Sequence, residues 1–224
     1  NTENLLLPLT VAPSTGFSSY VENIGKLRNT GLEGRLRLNL IKDSQRDLRW
    51  NVTLSAFHNK SKITKLSNQL EEINKYANND FYNKGTVVYR QYEAGRSQTA
   101  LMVVQSGGID PATGNEIYIK RNGELTFEYD ANDKVKCGDL KPTIEGNVNT
   151  NLTWKGFTLY MLFKYQFGAK AYNGTLASKV EGANPYRNAD KRVLYDRWKE
   201  PGDHAKFKRI DDRTSPYQTT RLVF

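Results

Sequence analysis

The sequence predicts an all-β chain of antiparallel transmembrane β-barrel strands, with short turns at one end and long loops at the other. Three observations carry this. Residues 144–167 alternate apolar and polar with a period of two, broken by the pair Lys155-Gly156. Residues 32–56 repeat the pattern around the polar turn Asp43-Ser44-Gln45-Arg46-Asp47. Long polar stretches separate these hairpins at 60–85, 106–140 and 168–216. A period of two is the signature of extended strands whose faces meet different surroundings.

In the later hairpin, Ile144, Gly146, Val148, Thr150, Leu152 and Trp154 share one face, with Glu145, Asn147, Asn149, Asn151 and Thr153 on the other. After Lys155-Gly156, the residues Phe157, Leu159, Met161, Phe163, Tyr165 and Phe167 share a face opposite Thr158, Lys164 and Gln166. A glycine in a two-residue connection suits the positive φ of a hairpin turn. Each run matches the roughly 9–11 residues of a tilted membrane strand. An apolar face with aromatic ends, backed by a polar face, fits lipid on one side and a wet lumen on the other.

In the earlier hairpin, Leu32, Leu36, Leu38 and Leu40 alternate with Glu33, Arg35, Arg37 and Asn39, and Leu48, Trp50, Val52, Leu54 and Ala56 alternate with Arg49, Asn51, Thr53 and Ser55. Alternation alone also fits a soluble antiparallel sheet with one face on a core. The strands exceed the usual five or six residues, however, and their polar faces stay in register over two hairpins.

The remaining elements follow in order. Residues 1–20 are rich in Pro, Ser and Thr. Within 60–85, Leu66, Leu70, Ile73 and Tyr76 have near-helical spacing, which predicts a short helix in a long loop. Thr86–Tyr92, Thr99–Gln105, Glu116–Lys120 and Leu125–Tyr129 read as short strands. Turn signals stand between them at Asp110–Gly114 and Arg121-Asn122-Gly123. A short helix is expected over Ala189–Trp198 in the irregular region 168–216. Short turns alternating with long loops are the asymmetry of an outer-membrane barrel, and a compact soluble domain seldom carries so much loop.

Composition excludes several classes. The chain has 224 residues, of which 38% are hydrophobic, against roughly 45–50% in ordinary globular domains. No apolar run approaches the roughly 20 residues of a membrane helix. Thirteen Tyr, nine Phe and three Trp suit aromatic girdles or stacking surfaces. Cys137 is the single cysteine, so an intrachain disulfide or cysteine metal cluster is excluded. The +9 net charge is scattered, without a run of five basic residues or a nucleic-acid-binding pattern, so no nucleic-acid partner is expected.

No catalytic constellation emerges, and no cofactor or metal is expected. His58 and His204 lie far apart, and G-x-S-x-G, H-E-x-x-H and Walker patterns are missing. Asp130-Ala131-Asn132-Asp133 hints at calcium but lacks the glycine and distal glutamate of an EF-hand. Binding chemistry centres on Tyr172, Tyr186, Tyr195 and Trp198 in the long 168–216 region, whose flat rings could stack on sugars or hold a peptide. The alternative for each is packing within the loop or against a partner protein.

Five segments carry a resemblance. Asn23-Ile24-Gly25-Lys26-Leu27-Arg28-Asn29-Thr30-Gly31-Leu32-Glu33 resembles the N-x-G-x-x-x-N-x-G-x-E signature of TonB-dependent outer-membrane receptors, and Pro13-Ser14-Thr15-Gly16 upstream points to their SusC/RagA branch. Gly108–Gly114 resembles that branch's G-[IL]-D-P-x-T-G turn. Trp154-Lys155-Gly156-Phe157 resembles its W-K-G-F hairpin, and Arg197–Asp203 its R-W-x-x-P-G-D loop. Glycines 25 and 31 are read as tight backbone positions, Glu33 as facing lumen or plug, and Trp154 and Phe157 as interface anchors.

The resemblance implies a 22-stranded barrel with a plug, to which residues 1–224 contribute one part. It implies TonB-coupled import of oligosaccharides or oligopeptides beneath a SusD-like surface lipoprotein. The expected partners are that lipoprotein, the TonB complex through a region outside this chain, the remainder of the barrel, and lipid of a Gram-negative outer membrane. The chain opens without a signal-peptide pattern and closes in what reads as an interrupted strand, as expected of a piece near the C-terminal end of a longer polypeptide. The alternatives are a soluble carbohydrate-binding β-sandwich and a passive porin.

Overall fold

The computed structural model describes residues 6–10, 19–23, 25–78, 88, 90–184, 186–212 and 218–224. A short antiparallel pair, β1 (Leu6–Thr10) and β2 (Ser19–Asn23), comes first. The main element is a four-stranded antiparallel sheet of β3 (Gly25–Asp43), β4 (Leu48–Leu66), β9 (Ile144–Trp154) and β10 (Phe157–Phe167), in the order β10-β9-β4-β3. Before β9, the chain forms helix α1 (Asn68–Ala77) and a second sheet. That sheet contains β5 (Ala100–Ile109), β6 (Glu116–Ile119), β7 (Leu125–Thr126) and β8 (Lys134–Asp139), in the order β7-β6-β5-β8.

Register makes the main sheet a wall with two chemistries. Leu36, Leu54, Val148 and Phe163 stand in one row, and Leu38, Val52, Thr150 and Met161 in the next. On the other face, Arg35, Ser55, Asn147 and Lys164 align, as do Asn39, Asn51, Asn151 and Tyr160. Thr150 is polar within the apolar band, and its hydroxyl accepts the Trp50 indole N–H at 2.8 Å, so both groups are satisfied without water. A sandwich would bury this band against a second sheet. Here Leu36, Leu54, Met161 and Phe163 are all exposed. Among the described residues β3 and β10 are the edge strands, so the sheet is open.

Both short turns lie at one end of the wall. Lys155 and Gly156 both have positive φ, the requirement of a type I′ hairpin. The Asp43 carboxylate accepts the N–H groups of Gln45 and Arg46, and the Lys155 N–H reaches the Asp47 carbonyl at 3.1 Å, tying the two turns together. All the long excursions leave from the opposite end. The predicted asymmetry is therefore present, and Trp154 and Phe157 mark the turn end of the band.

Several expectations are corrected. β3 and β4 run to 19 residues each, beyond the predicted stretches, so β4 claims residues 60–66 from the expected loop. Leu40 is not in the alternation: a register shift between Asn39 and Ile41 makes it the extra residue of a bulge, and Ile41 stands opposite Trp50. The expected helix at Ala189–Trp198 shrinks to Arg192–Tyr195, and Leu125–Tyr129 shortens to β7. Thr86–Tyr92 falls partly outside the described residues, and its described part is not strand. β8 forms where the sequence carries no sustained apolar alternation. The chain's last residues form a 3₁₀ turn, Thr220–Leu222, rather than a strand, because Leu222 is buried in the loop core.

Gly146 shows how sequence and packing meet in the wall. The Tyr165 ring lies across it, and its hydroxyl donates to the Ser55 carbonyl on the next strand but one, at 2.9 Å. A Cβ on Gly146 would come within 2.0 Å of that carbonyl and 2.5 Å of the hydroxyl. Glycine here lets an aromatic side chain cover the backbone of a thin stretch of sheet.

Candidate functional site: lumenal face and docked loops

The polar face of the wall holds a trough of about 680 Å³. Glu33, Arg35, Glu145, Asn147 and Lys164 line it, with Phe57 and Leu162 as its large apolar members. Glu33 is therefore on the lumenal side, as the sequence suggested. Two acidic and two basic residues balance the trough, and the Gln166 amide donates to Glu145 at 2.9 Å. Small residues aligned across three strands, Gly34, Ala56 and Gly146, thin the wall behind the trough.

Above the wall, the loops are ordered by contacts between motifs far apart in sequence. Asp110 opens the β5–β6 turn, and its carboxylate accepts the N–H groups of Ala112 and Thr113 and the Thr113 hydroxyl, the last at 2.6 Å. These bonds, led by the Thr113 hydroxyl, hold its pKa below the usual value. The Gly114 N–H closes onto the Asp110 carbonyl, one residue wider than a type I turn.

Trp198 covers this turn. Its indole N–H donates to the Pro111 carbonyl at 2.9 Å, and the Gly202 N–H takes the same oxygen at 2.9 Å. A Cβ on Gly114 would lie 2.4 Å from the Trp198 ring, and Gly114 has φ of +71°. The Asp203 carboxylate caps the N–H groups of Lys199 and Glu200. The two motifs at 108–114 and 197–203 thus form one docked unit. Gly114→Val combines steric overlap with backbone strain and is expected to undock this loop. Limited proteolysis of the full-length protein should then cut faster within 186–212, and an unchanged cleavage pattern would oppose it.

Buried charge holds the loop from beneath. The Arg197 guanidinium donates to the carbonyls of Lys208 (2.9 Å), Arg209, Glu181 and Val180. It thereby satisfies the end of a helical segment formed by α2 (Gly174–Leu176) and the π-turn Ala177–Glu181. Nearby, Arg221 pairs with Glu116 at 2.9 Å and with Glu181. Burial pushes the Glu181 carboxyl up, while Arg221 and Lys208 pull it back. Ala177, Val180, Ala183, Val193, Phe207 and Leu222 form the apolar core alongside. Sequence reading missed Glu116, Glu181 and Arg221, because nothing local signals that residues 105 positions apart will meet.

The four aromatic candidates separate. Tyr186 is 93% exposed, and Tyr195, at the end of α3 (Arg192–Tyr195), is 77% exposed. Tyr172 is half-buried, packed against the apolar core and bridged to Val223. Trp198 is half-buried on the turn. None of the four lines the lumenal trough. Among the described residues, no group of three or more His, Cys, Asp or Glu is placed to hold a metal. The Asp130 and Asp133 carboxylates instead accept backbone N–H groups of Asn132 and Arg121.

No family model matches the chain. Among curated proteins, it is similar to TonB-dependent receptor P3 of Formosa agariphila, 27% identical over 198 residues, covering 81% of this chain and 19% of the relative. It is also similar to TonB-dependent receptor P26 of the same organism, 25% identical over 228 residues, covering 98% of this chain and 21% of the relative. The chain thus spans about a fifth of the length of the curated relatives it matches. Among solved structures, it resembles the RagAB peptide transporter with a TM-score of 0.74 at 22% identity, over 99% of this chain and 24% of that one. The RagAB peptide importer in its open-open state gives 0.70 at 21% identity, over 99% and 23%. These structural likenesses establish the fold.

Proposed function

We propose that this chain, a segment of a SusC/RagA-type TonB-dependent receptor, builds wall, turns and outer loops of a Gram-negative outer-membrane importer. The observation that carries the reading is the four-strand register, which gives one continuous apolar face, one polar face, and all short turns at one end. Lipid covers the first face, and the lumen and its plug meet the second. The segment is transport machinery rather than an enzyme.

The cargo in this reading is an oligopeptide or oligosaccharide, captured beneath a SusD-like lipoprotein and drawn inward through TonB coupling. Peptide is favoured because the structural neighbours are described as peptide transporters and importers. In this reading the loops at 168–212 meet lipoprotein or cargo. Of the aromatic candidates, Tyr186 and Tyr195 have rings open for stacking, while Tyr172 and Trp198 would act by holding the loop that presents them.

A strain carrying the full-length gene, or a deletion of it, tests the reading by uptake of labelled oligopeptides and oligosaccharides. Loss of peptide uptake alone on deletion is expected. Loss of oligosaccharide uptake alone would reassign the cargo, and no change in either would overturn the reading. Tyr186→Ala and Tyr195→Ala are each expected to weaken uptake by roughly two- to ten-fold, the equivalent of ~0.5–1.5 kcal/mol of ring stacking. Thermal stability should be unaltered, since both rings are exposed. Wild-type uptake in the double variant would remove both from the cargo path.

A further inference from the structure

β3 and β4 extend beyond the apolar band, and the two faces of that extension are unlike. Register pairs Leu32 with His58, Thr30 with Lys60, Arg28 with Lys62, and Lys26 with Lys65. On the inner face, Leu27 and Ile63 are buried against Leu70 of α1 and Tyr92. The Asn74 side chain fixes that packing by bonding both the N–H and the carbonyl of Tyr92. The inner face is thus closed by protein. The outer face continues the lipid-facing surface, and Arg28, Lys60 and Lys62 are exposed on it.

No Asp or Glu occurs in residues 25–32 or 58–66. Like charges directly opposite across a sheet are destabilising, yet Arg28 faces Lys62 in register. Among the described residues, none of Arg28, Lys60 and Lys62 makes an ion pair. Lys60 and Lys62 also line a hollow of about 500 Å³, together with Lys136 and Lys141. Asp139 pairs there with Lys136 at 3.7 Å and accepts the Thr99 hydroxyl at 2.6 Å, and Glu145 accepts the Gln166 amide, so four lysines face two carboxylates. At the opposite end of the wall, charge is mixed, and Arg46 lies 3.7 Å from Asp43.

Height above the band selects the counter-charge. Lys60 is two residues past the last band row at His58, about 7 Å along the strand, and Lys62 is four past it, about 13 Å. With barrel tilt of ~40°, these become about 5 and 10 Å above the hydrocarbon, the depth of the polar headgroup layer. From continuity with the lipid-facing band, this depth and the excess of positive charge among the described residues, we infer that Arg28, Lys60 and Lys62 bind phosphorylated headgroups of the outer-leaflet lipid. The inference rests on the barrel reading above. It accounts for the juxtaposed cations, which lipid phosphates would bridge.

The test uses the full-length protein with its native partners, purified from outer membranes in mild detergent. Retained phosphoglycolipid is quantified by mass spectrometry, and purified bisphosphorylated lipid A in mixed micelles is titrated back. The triple variant Arg28→Gln, Lys60→Gln, Lys62→Gln should bind lipid A at least about ten-fold more weakly. An Arg46→Gln, Lys155→Gln control at the turn end should bind as wild type, and dephosphorylated lipid A should not distinguish the proteins. Wild-type binding by the triple variant would overturn the inference. So would loss of a co-purifying protein partner with lipid binding intact, which would assign the cations to an acidic protein surface. Both outcomes leave the transporter reading standing; recovery of the wild-type protein in the soluble fraction would overturn that reading as well.

Discussion

Arg221→Met is expected to destabilise the docked loops by about 3–5 kcal/mol, the cost of removing one partner from a buried ion pair. The Arg221 side chain is 12% exposed, and the Glu116 and Glu181 side chains it joins are fully buried. It also donates to the Lys206 carbonyl at 3.0 Å and lies over the Phe207 ring. Burial alone would lower its pKa, but the two carboxylates raise it, so it stays charged. Methionine would fill much of the volume and leave the two carboxylates with only Lys208 as a nearby cation, itself paired with Asp212 at 3.6 Å.

The pH dependence follows in sign. Burial raises the Glu181 carboxyl above its ordinary value even with Arg221 present. A raised folded-state pKa gives a contribution that is full below the unfolded value and lost as pH rises through the folded one. Without Arg221 the elevation grows, so the variant should regain protection as pH falls from neutral toward the carboxylate range. Hydrogen exchange across 196–208 in the full-length protein reads this directly. Glu116→Gln with Arg221→Met should restore part of the loss. Wild-type protection in the single variant would show that the network does not hold the loops.

Val148→Arg is expected to cost about 2–4 kcal/mol in a bilayer, and Asn149→Arg much less. The two are adjacent in sequence and opposite in environment. Val148 stands between Leu54 and Phe163 near mid-band, and Asn149 between Thr53 and Leu162 on the lumenal face. A guanidinium at Val148 must be drawn from water into hydrocarbon, whereas at Asn149 it remains hydrated. Reversible folding of the full-length barrel into vesicles, followed in urea, measures the difference. Equal tolerance of both changes would contradict lipid on the Val148 face.

Both arguments divide along what each stretch of sequence encodes. The Val148 prediction was available from alternation, because a strand between lipid and water must change polarity at every residue. The Arg221 prediction was not, because Glu116, Glu181 and Arg221 meet only after three loops fold together. Tyr172 and Trp198 illustrate the same limit. An aromatic in a polar loop reads alike whether it faces a ligand or a neighbouring turn, and Pro111 and Gly114 were needed to separate the two.

By itself the sequence determined the two wall hairpins, their faces, the positive-φ turn at Lys155-Gly156 and the lumenal side of Glu33. These are local consequences of period-two patterning and turn chemistry. Tertiary structure alone decided how far β3 and β4 rise above the band, since Leu27 and Ile63 are isolated apolar residues in a polar stretch and carry no periodic signal there. It also placed Leu40 in a bulge and formed β8, whose partner β5 is not adjacent to it in sequence. The joining of the turn at 108–114 to the loop at 197–203 lies beyond any local signal. Its energy resides in contacts between residues nearly ninety positions apart, such as Trp198 with Pro111.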